Sequence, residues 1–420
     1  MGGDGTMSHC HLCDLYRSST LDMNNNALFS IVACILNGGI PNEMPSSEEE
    51  WWQLFDFARE QTIEGVVFDG IQRIFNEKGI AIPSQVLFEW IGSCESIKAQ
   101  NKLINIRIVE LAKLLSDNGL RGCVLKGQGN ALMYPNPEVR MSGDIDVWLD
   151  ADRETITKFV KNRFPQAFEW YHHIEFPIFE DVSVEVHYFP SWMANIWNNR
   201  KLQKYYEERK SEQFDNICNA IDSEGRVSVP TKSFNAIFQL SHVMNHFFDE
   251  GVGLRQIVDY YFLLKQGFTE EEKSEYVYTV NELGMSRFAS SMMWVLHFAL
   301  GLPSEYLLVK PEEKGGRMLL EDIVSGGNFG QYDNRYAFKA DGRLRRAFAH
   351  IQRDMALASL FPSEALSMPL AKVKVQRYKL AHYFSSKTVF EYIVLNQRLK
   401  ENRNYGKRIR FDRIGRVGVL

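Results

Sequence analysis

The chain has 420 residues, 45% of them apolar and 24% charged, with a formal net charge of −5. These proportions describe a globular chain and exclude collagen-like, coiled-coil and predominantly disordered classes. No apolar run approaches the roughly 20 residues of a membrane helix, and the polar first twenty residues lack the basic start and apolar stretch of a signal peptide, so a cytoplasmic protein is expected. The charge is uneven: residues 331–420 carry 19 Lys and Arg against 7 Asp and Glu, which leaves 29 against 46 elsewhere. A basic C-terminal portion either docks on the acidic remainder or meets an anionic partner such as nucleic acid.

Residues 1–22 read as a leader. Cys10 and Cys13 form a Cys-x-x-Cys there, but no second Cys/His pair follows at a zinc-site spacing. The other four cysteines read as reduced core residues. From 23 to 117 the pattern is helical. Ser46-Ser47-Glu48 starts a helix that runs through Trp51, Leu54, Phe55 and Ala58, with acids at the positive end of the dipole. Further helices are expected over 85–94 and 97–117, the second ended by Asn118-Gly119.

The texture changes over 118–230. Gly122-Cys123-Val124-Leu125 is a short apolar run leading into Lys126-Gly127. Ile145, Val147 and Leu149 alternate with Asp144, Asp146 and Trp148, and Val182, Val184 and Val186 alternate with Ser183, Glu185 and His187. Both are strand periodicities, with a helix over 155–162 between them, and together they describe a small α/β core. From 231 to 420 the chain reads as helical again, over 231–247, 254–265, 285–300 and 390–400. Ser325 to Gly330 forms a glycine-rich break, either a loop or a turn that approaches phosphate.

The chemistry concentrates in the core. Asp144 and Asp146 are two apart on a strand and share a face. Two carboxylates held so close repel each other, and a divalent cation removes the conflict. Mg²⁺, or Mn²⁺, takes oxygen ligands and combines one or two carboxylates with substrate phosphates. Glu185, a charge within an apolar strand, supplies a third carboxylate for a two-metal site and can take the proton of an attacking hydroxyl. Asp181, at the strand entry, is the weaker alternative. Gly127 lets backbone N–H groups approach a polyphosphate, and Lys126 and Arg140 are expected to neutralise it. Ser142, just before the carboxylate strand, is a further nucleotide-binding candidate. His187 shares the face of Glu185 and can orient it. His242 and His246 share a helix face but read as core residues. His172-His173 reads as loop with no assigned role. Trp192, Trp197, Tyr205 and Tyr206 read as packing rather than base-stacking residues.

Leu125-Lys126-Gly127, Tyr134-Pro135, Arg140, Gly143-Asp144-Ile145-Asp146 and Val184-Glu185-Val186-His187 resemble the nucleotidyltransferase fold of the DNA polymerase beta superfamily. They are more closely similar to a bacterial family of uncharacterised nucleotidyltransferases. Gly253 to Asp259 and Gly327 to Gly330 look like that family's helical portion, so the likeness runs over about 24–399. It implies an α+β fold, a nucleotidyltransferase-type small mixed sheet core flanked by N-terminal and C-terminal helical regions. It also implies Asp144, Asp146 and Glu185 as catalytic metal ligands, and Lys126, Gly127, Gln128, Arg140, Ser142 and Gly143 around the nucleotide. The reaction implied is transfer of a nucleoside monophosphate from an NTP to a hydroxyl or phosphate acceptor, which could be a small molecule, a protein or RNA. The chain departs from the superfamily in having Gly127-Gln128 where Gly-Gly or Gly-Ser is usual. That departure supports a rival, an inactive nucleotidyltransferase fold kept for binding or regulation. A nucleic-acid-binding protein that uses the basic C-terminal portion is the other rival.

Overall fold

A computed structural model describes residues 23–328, apart from 80, 222–224 and 250, together with 343–385. The helix expected over 390–400, the Cys10/Cys13 pair and most of the basic portion lie outside these residues, and the glycine-rich break is described only as far as Asn328.

The N-terminal helices are α1 (Met23–Leu36), α2 (Glu48–Glu60), α3 (Glu64–Lys78) and α4 (Ser84–Asp117). α2 starts where its sequence signal stands. The Glu50 N–H donates to Ser47 Oγ at 3.2 Å, and the Ser47 N–H donates to Glu50 Oε2 at 3.3 Å, a reciprocal capping box. The two helices expected between 85 and 117 are one continuous helix of 34 residues. Glu95-Ser96 contains no breaker, and the Ser96 hydroxyl donates back to Gly92 O at 2.9 Å, so the chain has no reason to leave the helix there. Gly119, at φ +72°, ends it.

Six strands follow, interleaved with helices: β1 (Gly122–Val124), α5 (Gln128–Ala131), β2 (Ile145–Leu149), α6 (Arg153–Lys161), β3 (His173–Glu175), β4 (Val184–His187), α7 (Ile196–Glu208), α8 (Lys210–Asp215), β5 (Ile217–Asn219) and β6 (Arg226–Ser228). They form one mixed sheet in the order β3-β4-β2-β1-β6-β5. β2 runs antiparallel to β1 and parallel to β4. The rest is helical: α9 (Lys232–Asp249), α10 (Leu254–Lys265), α11 (Glu270–Glu282), α12 (Ser286–Trp294), α13 (Glu313–Gly326), α14 (Arg343–Ala358), α15 (Pro362–Ala365) and α16 (Met368–Ser385). The helix expected over 285–300 is α12 continued by a π turn over Val295–Ala299. The architecture is α+β, a small mixed sheet flanked on both sides of the sequence by helices. Among the described residues no helix is long and apolar enough to cross a membrane.

The alternation in β2 sorts its side chains between two cores. Ile145, Val147 and Leu149 join Val184 and Val186 in one cluster, closed by Ile156 and Val160 of α6 and Ile108, Leu111 and Leu115 of α4. On the opposite face Trp148 enters the larger core, stacked on Phe234 of α9 at 6.0 Å. Tyr205 and Tyr206 also pack on Phe234. Further along that face the apolar packing gives way to a cleft, where Asp146, Glu185 and His187 stand.

Candidate active site

The parallel register of β2 with β4 sets Asp146 beside Glu185 and Trp148 beside His187. Asp144 lies just before β2. One carboxylate oxygen from each of Asp144, Asp146 and Glu185 lies within 4.8 Å of the other two. The three stand on the wall of a cleft of about 470 Å³, shared with Lys126, Gly127 and Gly143.

These groups are not charge-balanced. Lys126 Nζ lies 2.8 Å from Asp146 Oδ1, and His187 Nε2 meets the same oxygen at 2.8 Å. Burial opposes ionisation of Asp146, but Lys126 and His187 outweigh it and hold this carboxyl well below the usual range. Repulsion from Asp146, helped by burial, pushes Asp144 up to about 6. Burial likewise opposes the charge on Lys126, yet Asp146, Asp144 and Glu185 together raise its pKa, so it remains an ammonium. For Glu185 burial is again the largest influence, but His187 and His173 beside it bring the carboxyl below its ordinary value. Three carboxylates thus face an open cleft, with the Lys126 ammonium against Asp146 and with His187, whose pKa Asp146 and Glu185 raise against its burial, beside them; an oxygen donor set of this kind suits a divalent cation.

Gly127 has φ +52° and ψ −115° and introduces α5. A side chain there would strain the backbone. This glycine therefore sets the turn that carries Lys126 to the carboxylates.

The other residues expected at the nucleotide divide by where their side chains go. Gln128 and Ser142 bond to each other, Ser142 Oγ donating to Gln128 Oε1 at 2.6 Å. Gln128 Nε2 donates to Asn105 Oδ1, and neither residue lines the cleft. Arg140 reaches the cleft wall, but its guanidinium is committed. Its Nε and one terminal nitrogen donate to the two oxygens of Asp259, each at 2.7 Å. The Tyr134 hydroxyl at 2.6 Å and Asn130 Nδ2 at 3.1 Å donate to the same carboxylate. These three residues thus brace the loops beneath the site, and the contacts drawn for them with a triphosphate would have to break this network first. Asp181 is held by Arg107 at 2.6 Å.

Two features of the site were not readable as such. Arg255 of α10 lines the cleft, and a terminal nitrogen of its side chain donates to Met141 O at 3.2 Å. Burial and the nearby Arg140 lower its pKa. It lies 111 positions after Asp144 in an amphipathic helix, and only its place in the fold brings it to the carboxylates. The second is the histidine pair read as loop. His173 is on β3, opposite His187 in the antiparallel register, and both His172 and His173 line the cleft. A three-residue edge strand leaves too little alternation to read. His242 and His246 of α9 line the same cleft, as does Trp192, whereas Trp197 is an exposed surface residue.

No curated protein matches the chain. A solved structure, an antigenic nucleotidyltransferase-like protein from Paracoccidioides brasiliensis, is 14% identical, with 47% of this chain and 92% of that chain covered and a TM-score of 0.28. The sequence pattern of a family described as "Uncharacterised nucleotidyltransferase" matches residues 47–301, more than half of the chain, with the whole of the sheet and all of the cleft lining but Val375. The chain belongs to this family of uncharacterised nucleotidyltransferases.

Proposed function

We propose that the protein is a divalent-metal-dependent nucleotidyltransferase of the polymerase beta type, which moves a nucleoside monophosphate from an NTP to a hydroxyl or phosphate acceptor and releases pyrophosphate. The observation that carries this reading is the convergence of Asp144, Asp146 and Glu185 on one cleft wall. The catalytic unit is residues 118–230, set between the helical regions 23–117 and 231–420, and an NTP-consuming activity fits a cytoplasmic protein.

Asp144 and Asp146 would hold Mg²⁺ or Mn²⁺, with Glu185 beside them. When bound, the ion supplies positive charge that screens the triphosphate and acidifies the attacking hydroxyl. The bond from the acceptor oxygen to the α-phosphorus forms as the bond to the bridging oxygen of pyrophosphate breaks. The acceptor proton passes to the Glu185 carboxylate and then to water. Lys126 and Arg255 are the cations for the triphosphate, and Gly127 and Gly143 leave backbone room beside it. Catalysis of this kind is mostly positioning and charge neutralisation.

One observation favours a second reading, a fold kept for nucleotide binding alone. Asp146 Oδ1 already meets both Lys126 and His187. A cation that used this oxygen would have to displace one of them. Incubation of the full chain with each α-labelled NTP and Mg²⁺ or Mn²⁺ in a cell extract separates the two. Transfer of label to an acceptor, lost in Asp144→Asn, supports the enzyme. Label transfer that survives Asp144→Asn contradicts the assigned site, and NTP binding without transfer in any extract favours the second reading.

A further inference from the structure

The same cleft holds a second group of donors that nucleotide transfer does not require. We propose that His173, Glu185 and His187 form a metal position of their own, suited to a borderline cation such as Zn²⁺ or Co²⁺ rather than to Mg²⁺.

The sheet assembles the three donors. His173 pairs directly with His187 across β3 and β4, and Glu185 precedes His187 by two residues on the same face of β4. One ligand atom from each lies within 4.8 Å of the other two. His173 Nδ1 is 3.4 Å and His187 Nε2 3.6 Å from Glu185 Oε2. Ligand atoms held tetrahedrally around Zn²⁺ at bond lengths of about 2.0–2.2 Å are themselves about 3.3–3.6 Å apart. The two separations from Glu185 therefore match those that such an ion imposes, and the ligand nitrogens of the two imidazoles stand within 4.8 Å of each other.

The side chain of His187 is 2% exposed, and Nε2 meets Asp146 Oδ1 at 2.8 Å. Its Nδ1 is buried with no hydrogen-bond partner. The nitrogen of His187 that faces Glu185 is Nε2, so an ion bound there would take the place of its contact with Asp146 Oδ1. His172 Nε2 lies 3.0 Å from the same His173 Nδ1 that faces Glu185, so an ion there would replace this contact as well. The open cleft leaves space for water in the remaining positions. Two imidazoles and one carboxylate are a ligand set of intermediate softness, favoured by Zn²⁺ and Co²⁺ and disfavoured by Mg²⁺. Glu185 belongs to both groups, so this position adjoins the carboxylate trio.

The test uses the full chain, stripped with a chelator and free of nucleotide. It is titrated with Co²⁺ and followed by visible absorption, and X-ray absorption is then recorded on the loaded parent protein. Imidazole nitrogen in the first coordination shell is expected. His173→Gln and His187→Gln should weaken Co²⁺ binding by roughly tenfold to a hundredfold or more. An all-oxygen shell in the parent overturns the proposal, and so do histidine variants that bind Co²⁺ with the parent's affinity. The parent spectrum decides the matter even if a histidine variant fails to fold. Because no NTP is present, the result is independent of whether the chain transfers nucleotides.

Discussion

Two buried ion pairs stand on the same cleft and do different things. Arg140–Asp259 and Lys126–Asp146 close at 2.7 and 2.8 Å, and both carboxylates are almost fully buried. Around Asp259 the account balances: one guanidinium binds both oxygens, and Tyr134 and Asn130 complete the set. Around Asp146 it does not. Asp144 and Glu185 stand within 4.8 Å, and repulsion from Asp146 pushes Asp144 up to about 6. A satisfied pair is a joint between the loop before β2 and helix α10, whereas a surplus of charge facing a cleft is a place to bind something of opposite sign. Burial and distance alone do not separate the two. The count of partners around each carboxylate does.

Substitutions should fall on one side of that contrast or the other. The largest effect is expected at Glu185. Glu185→Gln should retain most NTP affinity and lose turnover by roughly 10²- to 10⁴-fold, because a proton acceptor acts mainly in the transition state. Steady-state kinetics beside binding measurements check this, and near-normal turnover would take Glu185 out of the reaction. On the joint, Asp259→Ala leaves Arg140 buried without its counter-ion and should cost about 3–5 kcal/mol in urea unfolding. Asp146→Asn should cost clearly less, since Asp144 and Glu185 remain to pair Lys126. Equal losses would erase the distinction between joint and binding site.

Smaller effects sharpen it. Lys126→Ala and Arg255→Ala should each weaken NTP binding by about 1.5–3 kcal/mol, roughly tenfold to a hundredfold, without a matching loss for the nucleoside. If neither variant does so, the phosphate contacts lie elsewhere. Glu364 gives a pH reading remote from the cleft. Burial pushes this carboxyl up to about 7, against backbone N–H donors from Ala194 and Asn195. Its proton is bound more tightly in the folded chain than in the unfolded one. The stability it contributes is present below about 4.5 and is lost as pH rises through about 7. Glu364→Gln should therefore flatten the fall in melting temperature between pH 5 and 8 by an amount equivalent to roughly 1–3 kcal/mol. An unchanged slope would contradict the assignment.

The carboxylates were legible because a strand's period of two is short and local. Asp144 and Asp146 could be put on one face from alternation alone, and the β2–β4 register then made Glu185 their neighbour. Helix positions were legible for the same reason, and α10 spans the residues expected of it. Direction was not legible for cations and amides. Lys126, Arg140, Gln128 and Ser142 all flank the carboxylate strand in sequence. Whether each points into the cleft or to an interior partner depends on Asp259 and Asn105, which lie far away in the chain. Arg255 and His173 were missed for the converse reason. Tertiary packing brings Arg255 in from a distant helix, and His173 sits on a strand too short to show a period.

Calorimetric titration of the full chain with NTP, with and without Mg²⁺, tests the central claim most directly. NTP should bind when the divalent ion is present and lose most of its affinity without it. The Asp144→Asn/Asp146→Asn double variant should show no dependence on the ion. Equal affinity in the parent with and without Mg²⁺ would contradict the account, as would a double variant that retains the parent's metal-dependent binding.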